Sequence, residues 1–122
     1  MSTQQRLQQE TGEPFARISV EEAKKLIDSG DVQVIDVRRP DEYVRGHIPG
    51  AKLIPVDDFL GRASEVNASK PAVFVCAQGV RSALACEMAA ALGQDSSLLY
   101  NLEGGTDAWI AASYRVKIGM DA

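Results

Sequence analysis

A chain of 122 residues with 45% hydrophobic and 25% charged residues has the composition of one ordinary globular domain, which excludes a disordered chain, a collagen-like chain and a disulfide-stapled miniprotein. Thirteen basic and 17 acidic side chains give a net charge of −4 with no basic stripe, so nucleic acid is not an expected partner. No apolar run approaches the roughly 20 residues of a membrane helix, the N-terminal MSTQQRLQQETGEP does not read as a secretory signal, and two cysteines ten positions apart suit a reducing, cytoplasmic compartment better than a disulfide framework.

Residues 1–13 are polar, Gln-rich and aperiodic, and are read as a mobile arm ahead of a single domain over residues 14–122. From Phe15 on, strands and helices alternate. Residues 15–18 form a short strand. Ser19 is a candidate N-cap, with Glu22 as its capping-box partner. The helix Val20–Ser29 follows, with Ala23, Leu26 and Ile27 on its inner face, and Gly30 stops it. The β-branched run 32–37 predicts a central strand. Pro40 with Asp41 and Glu42 opens a short helix, because proline suits the first turn and acids the positive end; Gly46 ends it. Ile48-Pro49-Gly50 is a turn, 52–54 a short strand, and 55 to about 66 a helix.

The run 71–76 is apolar on both faces, as a parallel sheet covered by helices requires. Residues 81–92 are Ala-rich and helical, with Leu84, Met88 and Leu92 at i, i+4 and i+8 and Gly93 as the stop. Residues 97–100 are the last strand, and 105–112 a final helix with Trp109 in the core. The pattern predicts an α/β domain with a five-stranded, mainly parallel sheet and interleaved helices.

Ligands of open α/β sheets bind at the carboxyl ends of the strands. Two strands end on candidates there, Asp36 and Cys76. Cys76-Ala77-Gln78-Gly79-Val80-Arg81-Ser82 runs from a buried strand into a helix start. A tight loop in that place turns successive N–H groups inward as an anion-binding nest, the helix adds its positive end and Arg81 a full charge, and Gly79 permits a positive φ or a close approach. A cysteine on such a rim has a lowered pKa, and its thiolate is the reactive form. Two chemistries fit: sulfur transfer through a persulfide, and phosphoryl or arsenate chemistry. Four residues separate Cys76 from Arg81; a tetrahedral oxyanion needs a wider cradle, so the short loop favours a single terminal sulfur.

The segment Cys76-x-x-Gly79-x-Arg81-Ser82 resembles the active-site loop of rhodanese-family sulfurtransferases. So, in family order, do Ile35-Asp36-Val37-Arg38 with Glu42 and Tyr43, then Gly46-His47-Ile48-Pro49-Gly50-Ala51, and Leu102-Glu103-Gly104-Gly105 with Ala108-Trp109. The resemblance spans about residues 16–112 and implies a three-layer α/β/α rhodanese domain. It implies Cys76 as the persulfide-forming nucleophile, Arg81 orienting the loop and drawing anions, and residues Ala77, Gln78, Gly79, Val80 and Ser82 as the binding loop, with Asp36 and Arg38 in support. Neither metal nor organic cofactor is called for. The expected partners are a small sulfur donor (thiosulfate or a persulfide) and an acceptor, either cyanide or a thiol, protein thiols included. Two alternatives stay open: an arsenate reductase or phosphatase-like cysteine enzyme, and a binding module that kept the fold without the activity.

Other residues have blander readings. Cys86 is mid-helix core. His47 belongs to a structural turn, Asp36 accepts backbone or arginine hydrogen bonds, Arg38 and Glu42 form a local ion pair, and Glu103-Gly104-Gly105 shapes a neighbouring loop. The segment Ala112-Ser113-Tyr114-Arg115 departs from a Gly-Pro-like turn common in the family.

Overall fold

The structure is a computed structural model and describes residues 12–122. The arm expected over residues 1–13 therefore lies, up to residue 11, outside the described residues. Five strands, β1 (Ala16–Ile18), β2 (Gln33–Asp36), β3 (Lys52–Leu53), β4 (Ala72–Val75) and β5 (Leu99–Leu102), form one sheet in the order β1-β5-β4-β2-β3. Every pairing is parallel, sharper than the mainly parallel sheet expected. The helices are α1 (Val20–Ser29), α2 (Pro40–Arg45), α3 (Phe59–Arg62), α4 (Val80–Ala91) and α5 (Gly105–Ala111).

Side chains alternate across a strand, and β4 shows what that does to a strand covered twice. Phe74 packs with Phe59, Ala85, Cys86 and Ala89 on the α3–α4 face, while Val73 and Val75 pack with Val20, Ala23, Tyr43 and Trp109 on the face covered by α1, α2 and α5. All four residues of β4 are buried. The result is the three-layer arrangement, with β4 at the centre of the sheet and its carboxyl end feeding residue 76.

Local signals explain the boundaries. Ser19 and Glu22 form the expected capping box, and Gly30 ends α1 in the left-handed region at φ 84°. Pro40 opens α2. Residues 55–66, expected as one helix, break into a 3-10 turn (Val56–Asp58), the four-residue α3, and a second 3-10 turn (Ala63–Glu65); Gly61 in the middle gives the helix little support. The last strand begins at Leu99 and runs to Leu102, two residues later than expected at each end. Asp95 causes that shift: its carboxylate accepts from the Ser97 amide and caps a 3-10 turn over Ser96–Leu98.

The face that α4 buries is made by its small residues. Ser82, Ala85, Cys86 and Ala89 face inward, while Leu84 and Leu92 are 46% and 54% exposed. A helix lying close over a sheet needs small residues at the contact, and in an Ala-rich helix the small stripe is the buried one. The tail is held as well. Ser113, the only non-glycine described residue with positive φ (64°), makes the turn, Trp109 donates to the Arg115 carbonyl at 2.8 Å, and Lys117 pairs antiparallel with His47.

Candidate active site

β4 carries the chain outward to Cys76, and residues 77–79 turn it into α4. Three carbonyls of this turn are pulled away from its centre. Thr106 N–H donates to the Cys76 carbonyl at 2.8 Å and Asp107 N–H to that of Ala77 at 3.1 Å; Asn101 Nδ2 donates to that of Gly79 at 3.1 Å. A peptide group that turns its oxygen outward turns its N–H inward, so these bonds build the cradle from behind. Gly79, at φ 104°, makes the turn in a conformation that suits glycine.

The Cys76 thiol sits in the centre. Gly79 N–H donates to Sγ at 3.0 Å, and the Ser82 hydroxyl lies 3.4 Å from Sγ. Burial pushes this thiol up, but the Ser82 hydroxyl and the amides of Ser82, Gly79 and Gln78 outweigh burial, and its pKa lies below the ordinary value. The thiolate form, the nucleophile, is favoured. Cys86 has the opposite setting: it is fully buried, burial drives its pKa far up, and its thiol donates toward the Tyr100 carbonyl at 3.6 Å. It is the inert core thiol the sequence suggested.

Asp36 and Arg38 are joined at the end of β2. Arg38 Nε and Nη2 donate to the fully buried Asp36 carboxylate at 3.0 and 2.8 Å, and Nη2 also donates to the Gly46 carbonyl at 2.9 Å. This pair ties the strand end to the end of α2, which corrects the expected Arg38–Glu42 pair. Arg38 lies two residues from Asp36 and is buried with it, whereas Glu42 points across to α4. There Arg81 grips Glu42 with both Nη groups, at 2.7 and 2.9 Å, and holds its carboxyl at about 2. Arg81 is therefore a cation already neutralised. His47 is structural as expected: it stacks on Tyr43 with ring centroids 3.7 Å apart, and its two ring nitrogens face the Tyr43 and Asp121 carbonyls.

The remaining loop side chains point elsewhere. Gln78 donates to Asp107 at 3.2 Å, and Val80 is 78% exposed. The cradle is thus made by the backbone of residues 77–82 and by one side chain, that of Ser82.

One contributor was not anticipated, and a second was anticipated only as part of a loop-shaping segment. Asn101, fully buried on β5, accepts from the Ser82 hydroxyl at 2.5 Å while bracing the Gly79 carbonyl, and its amide also donates to Glu103, which Arg17 holds at 2.9 Å. A polar amide inside an otherwise apolar strand was the available signal. The second is the position of Gly105. A Cβ there would lie 2.3 Å from the Cys76 carbonyl oxygen and 2.5 Å from that of Ala77, so α5 reaches under the loop only because this residue has no side chain. That gives physical content to the expectation that Glu103-Gly104-Gly105 shapes a neighbouring loop.

A parallel α/β domain with a buried thiol held in an amide cradle at the end of its central strand defines a class of cysteine-centred group-transfer domains. The family model of the rhodanese-like domain matches residues 19–112, and the chain belongs to that family. Its relatives include the thiosulfate sulfurtransferase GlpE of Pseudoalteromonas translucida, 32% identical over 98 residues, 80% of this chain and 91% of that one. The protein of the same name from Pseudomonas aeruginosa (strain LESB58) is 38% identical over 98 residues, 78% of this chain and 84% of that one. Among solved structures, the rhodanese-related protein of Thermoplasma volcanium superposes with a TM-score of 0.76 at 29% identity, covering 84% of this chain and 98% of the other.

Proposed function

We propose that this chain moves a sulfane sulfur from a small donor, thiosulfate or a persulfide, to a thiol or to cyanide through a persulfide on Cys76. The chain is an enzyme of the rhodanese sulfurtransferase type. The observation that carries the specific reading is the Cys76 Sγ facing the loop, where the Gly79 N–H donates to it at 3.0 Å.

The Cys76 thiolate attacks the outer sulfur of the donor. A new S–S bond forms at Sγ, the donor's own bond to that sulfur breaks, and its electron pair leaves with sulfite or with the donor thiolate. The charge on the resulting persulfide lies where the amides already point, so the stabilisation is in place before the reaction. An acceptor nucleophile then bonds to the outer sulfur, and Cys76 leaves as the thiolate the cradle favours. Splitting the transfer into two displacements is covalent catalysis; neither step calls for a metal or an organic cofactor.

Phosphoryl or arsenate chemistry is disfavoured by the loop, whose amides and hydroxyl already converge on one sulfur atom. A binding module without activity has no use for a thiol held below its ordinary pKa. The reading also calls for a reducing compartment, the cytoplasm, where Cys76 stays a thiol between turnovers; both cysteines are free.

Intact mass after incubation with thiosulfate, and in parallel with a small-molecule persulfide, tests the proposal. One added sulfur on Cys76, discharged by cyanide or a thiol, is expected. No gain with either donor, or a gain mapping to Cys86, overturns it.

A further inference from the structure

The hydrogen bonds behind the cradle do not stop at Asn101. In the parallel register of the edge strand β1 with β5, Arg17 stands opposite Asn101. Residues two apart on a strand share a face, so Glu103, just beyond β5, comes to the same place. Asn101 Nδ2 donates to the Gly79 carbonyl at 3.1 Å and to Glu103 Oε2 at 2.9 Å. The same Glu103 oxygen accepts from Arg17 Nη1 at 2.9 Å, and Arg17 Nε is turned the other way, onto Glu13. Both partners of Nδ2 are acceptors, which fixes the fully buried amide with Oδ1 toward Ser82, whose hydroxyl donates to it at 2.5 Å. Turned over, the amide would set its oxygen against a carbonyl and a carboxylate. Gly79 and Ser82 in turn lie against Cys76 Sγ, the Gly79 N–H donating at 3.0 Å and the Ser82 oxygen 3.4 Å away. A continuous path of hydrogen bonds therefore leads from the edge of the sheet to the loop that holds the sulfur.

We propose that Glu103 and Arg17 are positioning residues for sulfur loading, acting on the loop through Asn101. The inference rests on the sulfurtransferase reading and adds two residues that lie outside the loop 76–82. Their side chains are 43% and 25% exposed, and an ion pair so placed adds little to folding stability. Its effect falls on the amide it holds. A hydrogen bond to a carboxylate is stronger than one between neutral groups, so Glu103 fixes Asn101 more firmly than a neutral partner, and Arg17 fixes Glu103. During loading the donor's outer sulfur bonds to Sγ, the donor's bond to that sulfur breaks, and its electron pair leaves with the donor. The loop amides must stand in place before the new charge arrives on the outer sulfur. An Asn101 freed on one side lets the Gly79 peptide tilt. The loss then appears in the limiting rate of loading, and neither in the donor concentration that half-saturates it nor in the stability of the fold.

Three variants test the inference: Glu103→Ala and Arg17→Met, which break the path, and Glu103→Gln, which keeps a carbonyl oxygen for both Asn101 and Arg17. Single-turnover loading from thiosulfate, followed by intact mass over a range of donor concentrations, is the first readout. The limiting rate should fall several-fold in Glu103→Ala and Arg17→Met, with the half-saturating concentration and the denaturation midpoint close to those of the parent, and Glu103→Gln should keep most of the rate. The second readout needs no donor. In nuclear magnetic resonance spectra of the reduced protein, the Gly79 amide proton and the Asn101 side-chain amide should shift in Glu103→Ala and Arg17→Met and hold their places in Glu103→Gln. A Gly79 amide that does not respond, equal losses of rate in Glu103→Ala and Glu103→Gln, or a loss that follows the denaturation midpoint overturns the inference. A parent protein that takes up no sulfur while its Gly79 amide responds as expected tells against the sulfurtransferase reading and upholds the positioning of the loop.

Discussion

Removing the carboxylate that neutralises Arg81 should improve thiosulfate as a donor. Arg81 is the only charged residue in the loop 76–82, and both of its Nη groups are bonded to Glu42. The loop therefore offers a dianion no net positive charge from its side chains, and the unmodified protein should show a high KM for thiosulfate. Glu42→Gln deletes one negative charge and retains a carbonyl oxygen for Arg81. It also keeps the cap, since Glu42 Oε1 accepts from the Arg39 amide at 3.1 Å and glutamine serves in a capping box as glutamate does. One partly exposed charge is worth about 1 kcal/mol or less, and each 1.4 kcal/mol is about tenfold, so KM should fall by up to about fivefold. Because Arg81 holds the Glu42 carboxyl at about 2, the carboxylate is charged throughout the neutral range and the difference should not vary with pH there.

Initial rates against thiosulfate, with cyanide as acceptor, measure the effect. Raising the ionic strength should erase it, since exposed charges are screened over about 10 Å at 0.1 M. A KM that is unchanged or higher in Glu42→Gln, with the fold intact, would refute the reasoning and show that the Arg81–Glu42 pair positions the loop without setting its charge.

Three further outcomes follow from the geometry. Asn101→Ala leaves the Gly79 carbonyl and the Ser82 hydroxyl short of a buried partner, at about 1–3 kcal/mol for each group left unpaired; chemical denaturation should show the loss. Cys86→Ala should keep turnover within a few-fold and cost on the order of 1 kcal/mol of stability, and a loss of activity with folding intact would place Cys86 in the chemistry. Gly105→Ala meets two carbonyl oxygens of the loop inside 2.6 Å, so sulfur loading on Cys76 should drop at least tenfold; normal loading would show that α5 can withdraw without disturbing the cradle.

The sequence was most informative where local chemistry decides the outcome. Ser19 and Glu22, Pro40, Gly30 and the β-branched runs are signals that act within a few residues, and α1, α2 and the central strands lie where those signals put them. Cys76 was legible for the same reason, because a cysteine between a buried strand and a glycine turn is a local pattern. What escaped depends on elements far apart in the chain. Glu42 and Arg81 are 39 positions apart, and Ser82 and Asn101 are 19; these pairings exist only once the parallel sheet has set α2, α4 and β5 side by side. The buried face of α4 has another origin. Hydrophobicity alone ranks leucine above alanine, but the contact with the sheet is limited by distance and selects the smaller residue.

The two cysteines show how little of reactivity lies in burial itself. Cys76 and Cys86 belong to the same apolar cluster and are 2% and 0% exposed. Desolvation penalises the thiolate at both, so burial alone would leave two inert thiols. The difference lies in which polar groups each sulfur meets. Cys86, within α4, has the intrahelical amides turned along the helix axis, and its sulfur finds a carbonyl oxygen, Tyr100, which can only accept a proton. That contact favours the thiol. Cys76 lies before the first turn of the same helix, where amides have no preceding carbonyls to bond, and it meets the Gly79 N–H, which can only favour negative charge. Ten residues along one chain reverse the sign of the hydrogen bonding while leaving burial nearly unchanged, and the pKa shifts follow the hydrogen bonding. The cradle has to be enclosed for this to work, because water in the ring would compete for the sulfur and weaken each donor. A fully buried thiolate site is therefore a consequence of using weak backbone dipoles in place of a full positive charge, and it accords with an Arg81 that is committed to Glu42.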